Sequence, residues 1–430
     1  MKTTAETTSI KRGTAKAALQ HRHFRLLFIG ASLSNVGTWM QNFMLPAYLD
    51  LRTGSAAFVG LLIFAQLGPQ LFGSVPAGVL ADRVDRTRLV LAMQGCMMLA
   101  SVVLAFLAKW HAPIWTIFAV QLAIGISNTA QAPAFNASLP AMVPREDLAG
   151  AVSLTSAMIN GSRIAGPSLA ALLGWFGFNL WELFLVNAAT YIFVMTPLAR
   201  VGLPKVVASN TARGWRALTT GIKLARSRRV LQTLLVSMFI FSLVSLPYIG
   251  LFPSVARLNL GLAADSSSYK VLYIVWGSGA FLGALSVGTV LAGQNRHTII
   301  KWAFRMFALI LFCFAMTSSY ALALPISFAL GVVYFLLATA MMTELQHNVT
   351  NGERASIMPL WFMSFGGSIP LGNLLAGPVM DSIGARWVLA IGAVGAWIVG
   401  FYCNLSSLTV DSFLQDEPGT AIDGSPSRLH

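Results

Sequence analysis

Apolar segments long enough to cross a lipid bilayer recur along almost the whole chain. Of its 430 residues, 56% are hydrophobic and only 10% are charged. A membrane-spanning helix needs about 20 mainly apolar residues. Counting such stretches gives twelve spans, at residues 25–50, 56–80, 89–109, 113–137, 148–173, 180–199, 231–256, 269–292, 300–318, 321–345, 355–379 and 386–406. The sequence therefore predicts an all-α membrane protein with twelve transmembrane helices, of which the first, fourth and eleventh are the most polar.

Basic residues are unevenly divided between the two sides of the membrane that these spans define. Of the 29 lysines and arginines, 23 lie on the side of the two chain termini, five lie on the opposite side, and Arg163 lies within a span. Cytoplasmic segments carry the excess of Lys and Arg, so both termini are predicted to be cytoplasmic. The net charge of +14 is then explained by topology and contact with the lipid bilayer, and no nucleic-acid partner is expected.

One long basic segment divides the twelve spans into six and six. The predicted organisation is an N-terminal tail (1–24), an N-terminal six-helix bundle (25–200), a basic cytoplasmic linker (201–229), a C-terminal six-helix bundle (230–406) and a C-terminal tail (407–430). Residues 214–228 have a weak helical periodicity with a basic face, which suits a helix on the membrane surface. The segments 143–149 and 349–355 also resemble each other, which indicates the internal repeat typical of many transporters.

The loop after the second span is unusually charged, with five charged side chains between Asp82 and Arg88. A glycine before it, Gly78, would let two helices approach closely. A carboxylate such as Asp82 can accept hydrogen bonds from a helix N-terminus or from an arginine. We therefore predict a gate on the cytoplasmic side, formed by Gly78, Asp82, Arg83, Asp85 and Arg86.

Polar side chains line one face of several spans. Lipid would penalise such faces, so we expect them to point inward, where either hydrogen bonds between helices or a water-filled substrate path would explain them. We favour the path. The candidate cavity residues are Asn35, Thr38, Gln41, Asn42, Gln121, Asn128, Gln131, Asn160, Arg163 and Tyr248.

Arg163 is the sharpest single candidate, because it lies near the middle of the fifth span. A charge there costs about 2.5–3.5 kcal/mol on insertion scales. It could bind an anionic substrate group or a carboxylate linked to proton transfer, or it could be a structural arginine paired with backbone carbonyls or with Asn160. Nearby, Gly166 and Pro167 are expected to break or bend the helix, while the small residues around them allow close packing.

Few acidic residues are available for proton coupling. Asp50 ends the first span on the outer side, where it could pair with Arg52 or face an outward vestibule. Glu182 and Glu344 are expected to be solvated carboxylates at the membrane surface. Asp50 and Arg163 are therefore the candidates for proton coupling.

Five motifs together resemble the major facilitator superfamily, in particular its drug:proton antiporter branch, which includes the enterobactin exporter. They are His23–Phe28, Gly37–Gln41, Arg52–Ser55, Gly78–Arg88 and Asn160–Pro167, and the resemblance spans residues of about 20 to 405. It implies two six-helix bundles that rock about a central cavity lined by the first and fourth spans. It also implies export, tied to the Gly166-Pro167 bend, of a drug or a siderophore-like anion. Asp85 departs from the family pattern, which often has glycine there, and Ser168–Ala171 lacks a glycine pair common in antiporters.

No catalytic motif accompanies these features, so we do not expect an enzyme. No metal or cofactor is expected either, because the three cysteines lie singly in apolar runs. A Walker loop is absent, so a gradient must supply the energy. The leading hypothesis is a monomeric, proton-coupled exporter of small organic molecules. The alternatives are an importer or facilitator on the same fold and a membrane scaffold or receptor without transport.

Overall fold

The computed structural model describes residues 12–204, 215–291 and 293–403, and the secondary structure within these ranges is helical, without strands. The predicted all-α fold is confirmed. The predicted C-terminal tail (407–430) and residues 205–214 of the predicted linker lie outside the described residues.

Six long helices form the first half of the molecule, preceded by one helical turn. Helix α4 begins where Asp85 caps it by accepting a hydrogen bond from the Arg88 amide (2.8 Å). The helices are α1 (Ala15–Ala18), α2 (Arg22–Thr53), α3 (Ala56–Arg83), α4 (Arg86–Lys109), α5 (Ile114–Ser138), α6 (Leu148–Trp175) and α7 (Leu180–Val201).

The second half has more, shorter helices, because two of its spans are interrupted. Pro247 and Pro253 lack the amide that continues a helix, so the seventh span is divided into three. The eleventh contains a π-helical turn, Met363–Gly367. The helices are α8 (Trp215–Ser227), α9 (Arg229–Val244), α10 (Pro247–Gly250), α11 (Phe252–Leu260), α12 (Ser267–Gly288), α13 (Arg296–Met316), α14 (Tyr320–His347), α15 (Asn351–Phe362), α16 (Ser368–Ile383) and α17 (Ala385–Tyr402).

Each of the twelve predicted spans coincides with one of these helices or with consecutive helices joined by short breaks. Among the described residues, seven helices are long and apolar enough to cross a membrane by themselves. Helices α2, α5 and α6 and the interrupted seventh and eleventh spans are not among the seven. Three of these five, α2, α5 and the α15–α16 pair, are the spans that the sequence marks as most polar. The basic helix α8 meets α9 at 113°, which suits a helix that lies across the end of the bundle.

The two halves use the same helix pairs. In the first half α2 packs on α6 and α7, α3 packs on α5, and α4 packs on α5 and α7. In the second half α9 packs on α16 and α17, α12 packs on α14, and α13 packs on α14 and α17. When the spans of each half are numbered in chain order, the same pairs of spans pack together in both halves. The main contacts between the halves, α3 with α16 and α6 with α12, also correspond, which confirms two repeated six-helix bundles.

The structure corrects three predictions about glycine and proline. Helix α6 runs through Pro167 without the predicted break, while the predicted bend at Gly166 and Pro167 stays a prediction. Close packing does occur at Gly166, where an added Cβ would lie 2.6 Å from the Met40 amide nitrogen of α2. An added Cβ at Gly161 or at Gly78 would have no described residue within 4 Å, so neither glycine mediates a close approach between the described helices in this conformation.

Asp147, just before α6, fastens the N-terminal segment to the first half. Its Oδ1 accepts a hydrogen bond from the Gly13 amide (3.0 Å), and its Oδ2 lies 2.9 Å from His21 Nε2. The hydrogen bonds from His21 and from the Gly13 amide lower the pKa of Asp147 below its ordinary value. The unfolded chain therefore binds this proton more readily, and the stabilisation is present above a pH of about 4 and lost as pH falls through the lowered pKa.

We expect Asp147→Asn to lower the unfolding temperature of the purified protein at about pH 7 by a few degrees, and the difference to shrink as pH falls below about 4. Thermal unfolding measured across this pH range tests the expectation. Glu146→Gln is the matched control, because Glu146 forms an exposed ion pair with Arg12 and exposed pairs contribute little. A stability difference for Asp147→Asn that stayed constant into the acid range would contradict the assignment.

Candidate substrate cavity between the two halves

A cavity of about 550 Å³ lies between the two halves. Helices α2 to α7 line one side of it. Helices α10, α11, α12, α14, α15 and α16 and the π-helical turn line the other. Its volume is in the range of about 300–1,000 Å³ typical of small-molecule sites.

The wall contributed by the first half is rich in side-chain amides. Some of them are paired with each other: Gln66 Nε2 donates to Asn42 Oδ1 (2.7 Å) and Gln94 Nε2 donates to Gln131 Oε1 (3.0 Å). Others keep unused capacity, since Asn35 Nδ2 and Gln94 Oε1 are buried and have no hydrogen-bond partner among the described residues. This wall can therefore both donate hydrogen bonds to a ligand and accept them from it.

Two more of the predicted cavity residues, Gln41 and Thr38, are engaged in hydrogen bonds within the first half. Gln41 Oε1 accepts from Ser101 Oγ (3.0 Å) and from Asn187 Nδ2 (2.7 Å), which joins α2, α4 and α7. Thr38 donates to the Ser34 carbonyl (3.0 Å). Hydrogen bonding between helices, the alternative left open by the sequence, accounts for Gln41. Thr38 is satisfied within its own helix, and both side chains also reach the cavity.

The wall contributed by the second half is aromatic. Trp276 stacks on Tyr334 with ring centroids 6.3 Å apart and lies 5.5 Å from Tyr273. Sequence reasoning missed this wall, although its signal was available: Tyr269, Tyr273 and Trp276 follow an i, i+4, i+7 spacing, which puts them on one face of α12. The cavity thus has a hydrogen-bonding side and a flat apolar side.

Arg163 projects into the cavity, where no described residue forms a hydrogen bond or ion pair with it. Its guanidinium lies 4.9 Å from the ring centroid of Trp39 and 4.7 Å from that of Phe335. Its Nε is buried and has no hydrogen-bond partner in the described part of the chain. Asn160, the predicted structural partner, instead donates to the Ser156 carbonyl of its own helix (2.9 Å). Two aromatic rings therefore hold the arginine, and among the described lining residues it is the only charged one.

Seven of the ten predicted cavity residues line the cavity: Asn35, Thr38, Gln41, Asn42, Asn128, Gln131 and Arg163. The other three do not. Gln121 is buried in the first half, with 1% of its surface exposed. Asn160 bonds along its own helix. Tyr248 lies behind the aromatic wall, where its hydroxyl accepts a hydrogen bond from Trp276 Nε1 (3.2 Å).

The two halves are fastened together at one end, which we call the far end; the end where α7 finishes and α9 begins is the linker end. At the far end, Asp50 of α2 accepts from Arg257 Nε (2.8 Å) and Nη2 (3.0 Å) and from Ser254 Oγ (2.6 Å), both on α11. The predicted pairing of Asp50 with Arg52 is wrong, because Arg52 donates to the carbonyls of the loop after α4. Asp50 is almost completely buried and lies outside the cavity lining.

A second carboxylate also joins the halves, but it belongs to the second half and binds the first. Ser55 precedes α3 but does not cap it with its own side chain. Asp381 of α16 does so instead, accepting from the amides of Ala56 (2.7 Å) and Ala57 (2.9 Å) and from the Ser55 hydroxyl (2.6 Å). A carboxylate is stabilised at a helix N-terminus. We call Asp50, Ser254, Arg257, Asp381 and the N-terminus of α3 the far-end latch.

Ion pairs between described residues at the linker end do not join the two halves. Each of them connects two residues of the same half. Arg228 pairs with Glu353 (2.7 Å) and Arg296 with Glu344 (2.9 Å), both in the second half. Glu344 is only 5% exposed, so the prediction of a solvated carboxylate is wrong for it. Glu182, by contrast, is a half-buried residue of the capping box of α7.

The predicted gate residues also lie at the linker end. Asp85 caps α4, Arg83 is exposed, and Arg86 Nε donates to the Ala81 carbonyl (3.4 Å). The side chain of Asp82 lies outside the described residues. Beside Gly78, an added Cβ would meet no described residue within 4 Å in this conformation.

Known proteins resemble the chain over nearly all of its length. Residues 13–420 match the family described as transmembrane secretion effector. Macrolide efflux protein A of Streptococcus pyogenes is 25% identical over 396 residues, which cover 86% of this chain and 93% of that protein. The enterobactin exporter EntS of Shigella boydii is 28% identical over 185 residues, covering 43% of this chain and 44% of the exporter.

Solved structures show the same fold. The nucleoside transporter NupG superposes with a TM-score of 0.72 at 13% identity and covers 90% of this chain and 100% of its own. A bacterial homologue of the lysosomal transporter Spinster, in an inward-facing and unoccupied conformation, gives 0.67 at 15% identity, covering 92% and 97%. The resemblance predicted from the sequence motifs is thereby confirmed. The chain belongs to the transmembrane secretion effector family of transporters, within the major facilitator superfamily.

Proposed function

We propose that the chain is a proton-driven exporter of small organic molecules that works as a monomer in a bacterial inner membrane, with both termini and the linker end in the cytoplasm. The observation that carries the proposal is the asymmetry of the cavity. The far-end latch joins the two halves, whereas the ion pairs described at the linker end stay within one half. This is the arrangement expected of a transporter that is closed to the outside and ready to load from the cytoplasm.

Transport would then consist of rocking the two halves about the cavity. A substrate loads from the linker end, the far-end latch breaks, and the loop at residues 78–88 closes the cytoplasmic side. The unoccupied space beside Gly78 suits this step, because a glycine there allows the second half to approach α3 closely when that side closes.

The names of the relatives support outward transport. Macrolide efflux protein A and the enterobactin exporter EntS both move substrates out of cells by name, which favours export over the importer alternative. Since NupG has the same fold and is a nucleoside transporter, the fold alone does not choose the direction. Direction has to be measured.

Asp50 offers a route for proton coupling. It is the buried carboxylate of the far-end latch, and a proton on it would remove the negative charge that Arg257 binds. Proton binding and opening of the far end are therefore linked equilibria. Arg163, the other residue predicted to take part in coupling, faces the cavity and would act through the substrate.

Everted membrane vesicles test the function directly. We expect vesicles containing the protein to accumulate an anionic dye such as fluorescein when their lumen is acidic, and to lose it when a proton uncoupler is added. Vesicles without the protein are the control, and ethidium serves as a cationic dye for comparison. Accumulation that ignores the uncoupler would refute proton coupling, and net movement in the opposite direction would favour an importer.

A further inference from the structure

Among the residues that the structure describes, none provides a counter-charge for Arg163. A guanidinium has five N–H donors, and in the described part of the chain Arg163 forms neither a hydrogen bond nor an ion pair. The rings of Trp39 and Phe335 interact with the cation but supply no acceptor oxygen. Arg163 is half-buried and its Nε is fully buried. A charge with little access to water and no hydrogen-bonding partner is costly, so an anion that enters the cavity would stabilise it.

The surroundings of Arg163 define the rest of the ligand. Tyr273 and Tyr334 of the aromatic wall lie close enough to interact with it electrostatically, and both also line the cavity. A flat ring can therefore stack on this wall while an acidic group attached to it reaches the guanidinium. Amides of the opposite wall, such as those of Asn35 and Asn128, remain available for polar substituents.

We infer that the cavity selects aromatic anions: small molecules in which a carboxylate or phenolate is attached to a flat ring system. The acidic group binds Arg163, and the ring packs on the wall formed by Tyr273, Trp276 and Tyr334. This inference rests on the proposed function in that it names the substrate class of the proposed exporter.

A cation is the ligand class that the cavity disfavours. None of the described lining residues is an aspartate or a glutamate, so a cationic amine would find no counter-ion and would share the cavity with Arg163. Like charges in a site of low dielectric repel each other strongly. Selectivity among molecules of similar shape should therefore follow their charge.

Binding by purified full-length protein tests this selectivity with three probes of the same ring: 2-naphthoate, 2-naphthamide and 2-naphthylmethylammonium. Titration calorimetry in chloride-free buffer prevents a small inorganic anion from occupying Arg163 first. We expect the carboxylate to bind about 10- to 100-fold more tightly than the amide, because hydrogen bonds between charged groups are the stronger kind. The ammonium probe should bind more weakly still.

Arginine variants locate the effect. Arg163→Gln should reduce naphthoate binding to the level of naphthamide, and Arg163→Lys should restore part of the preference because it keeps the charge. Arg305→Gln is the matched control: the Arg305 guanidinium also lies against two rings, at 5.3 Å from Trp302 and 5.9 Å from Phe401, but it does not line the cavity. This control variant should bind naphthoate like the unsubstituted protein.

Equal affinity of the unsubstituted protein for naphthoate and naphthamide would overturn the inference without the need for any variant. So would a preference that survives in Arg163→Gln. The vesicle experiment tests the exporter proposal independently of this inference. A protein that binds naphthoate through Arg163 but moves no dye would support the inferred substrate class and refute the exporter. Dye export without a binding preference for the carboxylate would support the exporter and overturn the inferred substrate class.

Discussion

Removing the charge of Asp50 should open the far end of the transporter. In the structure this buried carboxylate receives two hydrogen bonds from Arg257 and one from Ser254. Asp50→Asn keeps the size of the side chain but leaves Arg257 without its counter-ion. Breaking a fully buried ion pair costs about 3–5 kcal/mol. Because Arg257 is 29% exposed, we expect about 1–3 kcal/mol, which shifts the equilibrium between the two conformations by about 5- to 150-fold.

Opening of the far end can be read from chemical labelling. A cysteine introduced in place of Ala57 would lie where α3 meets α16, since an added Cβ at Gly377 would be 2.8 Å from the Ala57 Cα. We expect a maleimide that cannot cross the membrane to label this cysteine faster in Asp50→Asn than in protein with an intact latch. Protein with only the natural cysteines gives the background.

The double-mutant cycle with Arg257 is the control. Because Asp50 and Arg257 act as one pair, Arg257→Gln should speed labelling as well, and the double variant should label no faster than the more affected single variant. Additive effects would mean that the two residues act independently. Labelling as slow in Asp50→Asn as in the reference would show that the pair does not hold the far end closed.

The helices could be predicted from sequence because a membrane span depends on local composition. About 20 apolar residues suffice to define one, and even the polar spans α2 and α5 were found in this way. The interruptions of the seventh and eleventh spans were not. Proline can sit inside a continuous membrane helix when neighbouring groups satisfy the carbonyl that it frees. Pro167 lies inside a continuous helix, α6. Proline positions alone therefore did not reveal which spans break.

The partners of the charged residues could not be predicted, because they come from distant parts of the chain. Asp50 and Arg257 are 207 residues apart, and Asp381 caps a helix that begins 325 residues before it. No local pattern encodes such pairs, whereas Arg52, the predicted partner, is merely close in sequence. Arg163 was recognisable because a charge within a span is informative by itself.

The gate region shows a different limit. The prediction of close packing at Gly78 is wrong for this structure, in which the far end is closed. A sequence serves every conformation of a transporter, whereas one structure shows a single conformation. Gly78 and its neighbours are thus expected to make their contacts when the linker end closes, and the far-end contacts are the ones that can be tested from the structure at hand.

A side chain at Gly60 should prevent the far end from closing. Gly60 of α3 faces the carbonyl oxygen of Asn373 on α16 so closely that even a Cβ would overlap it. Backbone atoms cannot move aside as a flexible side chain can, and forcing extra atoms into packed contacts costs about 1–3 kcal/mol or more. Since this contact joins the halves and not the helices of one half, we expect Gly60→Val to fold and yet to remain open at the far end.

We expect Gly60→Val to lose nearly all dye export in everted vesicles and to show fast labelling at Ala57→Cys, the pattern of a transporter that cannot return to its loading state. Gly288→Ala is the matched control, because an added Cβ there has no described residue within 4 Å. Thermal unfolding distinguishes trapping from misfolding, since a trapped protein still unfolds cooperatively. A folded Gly60→Val protein that exports at the normal rate would show that transport does not require α3 and α16 to close on each other.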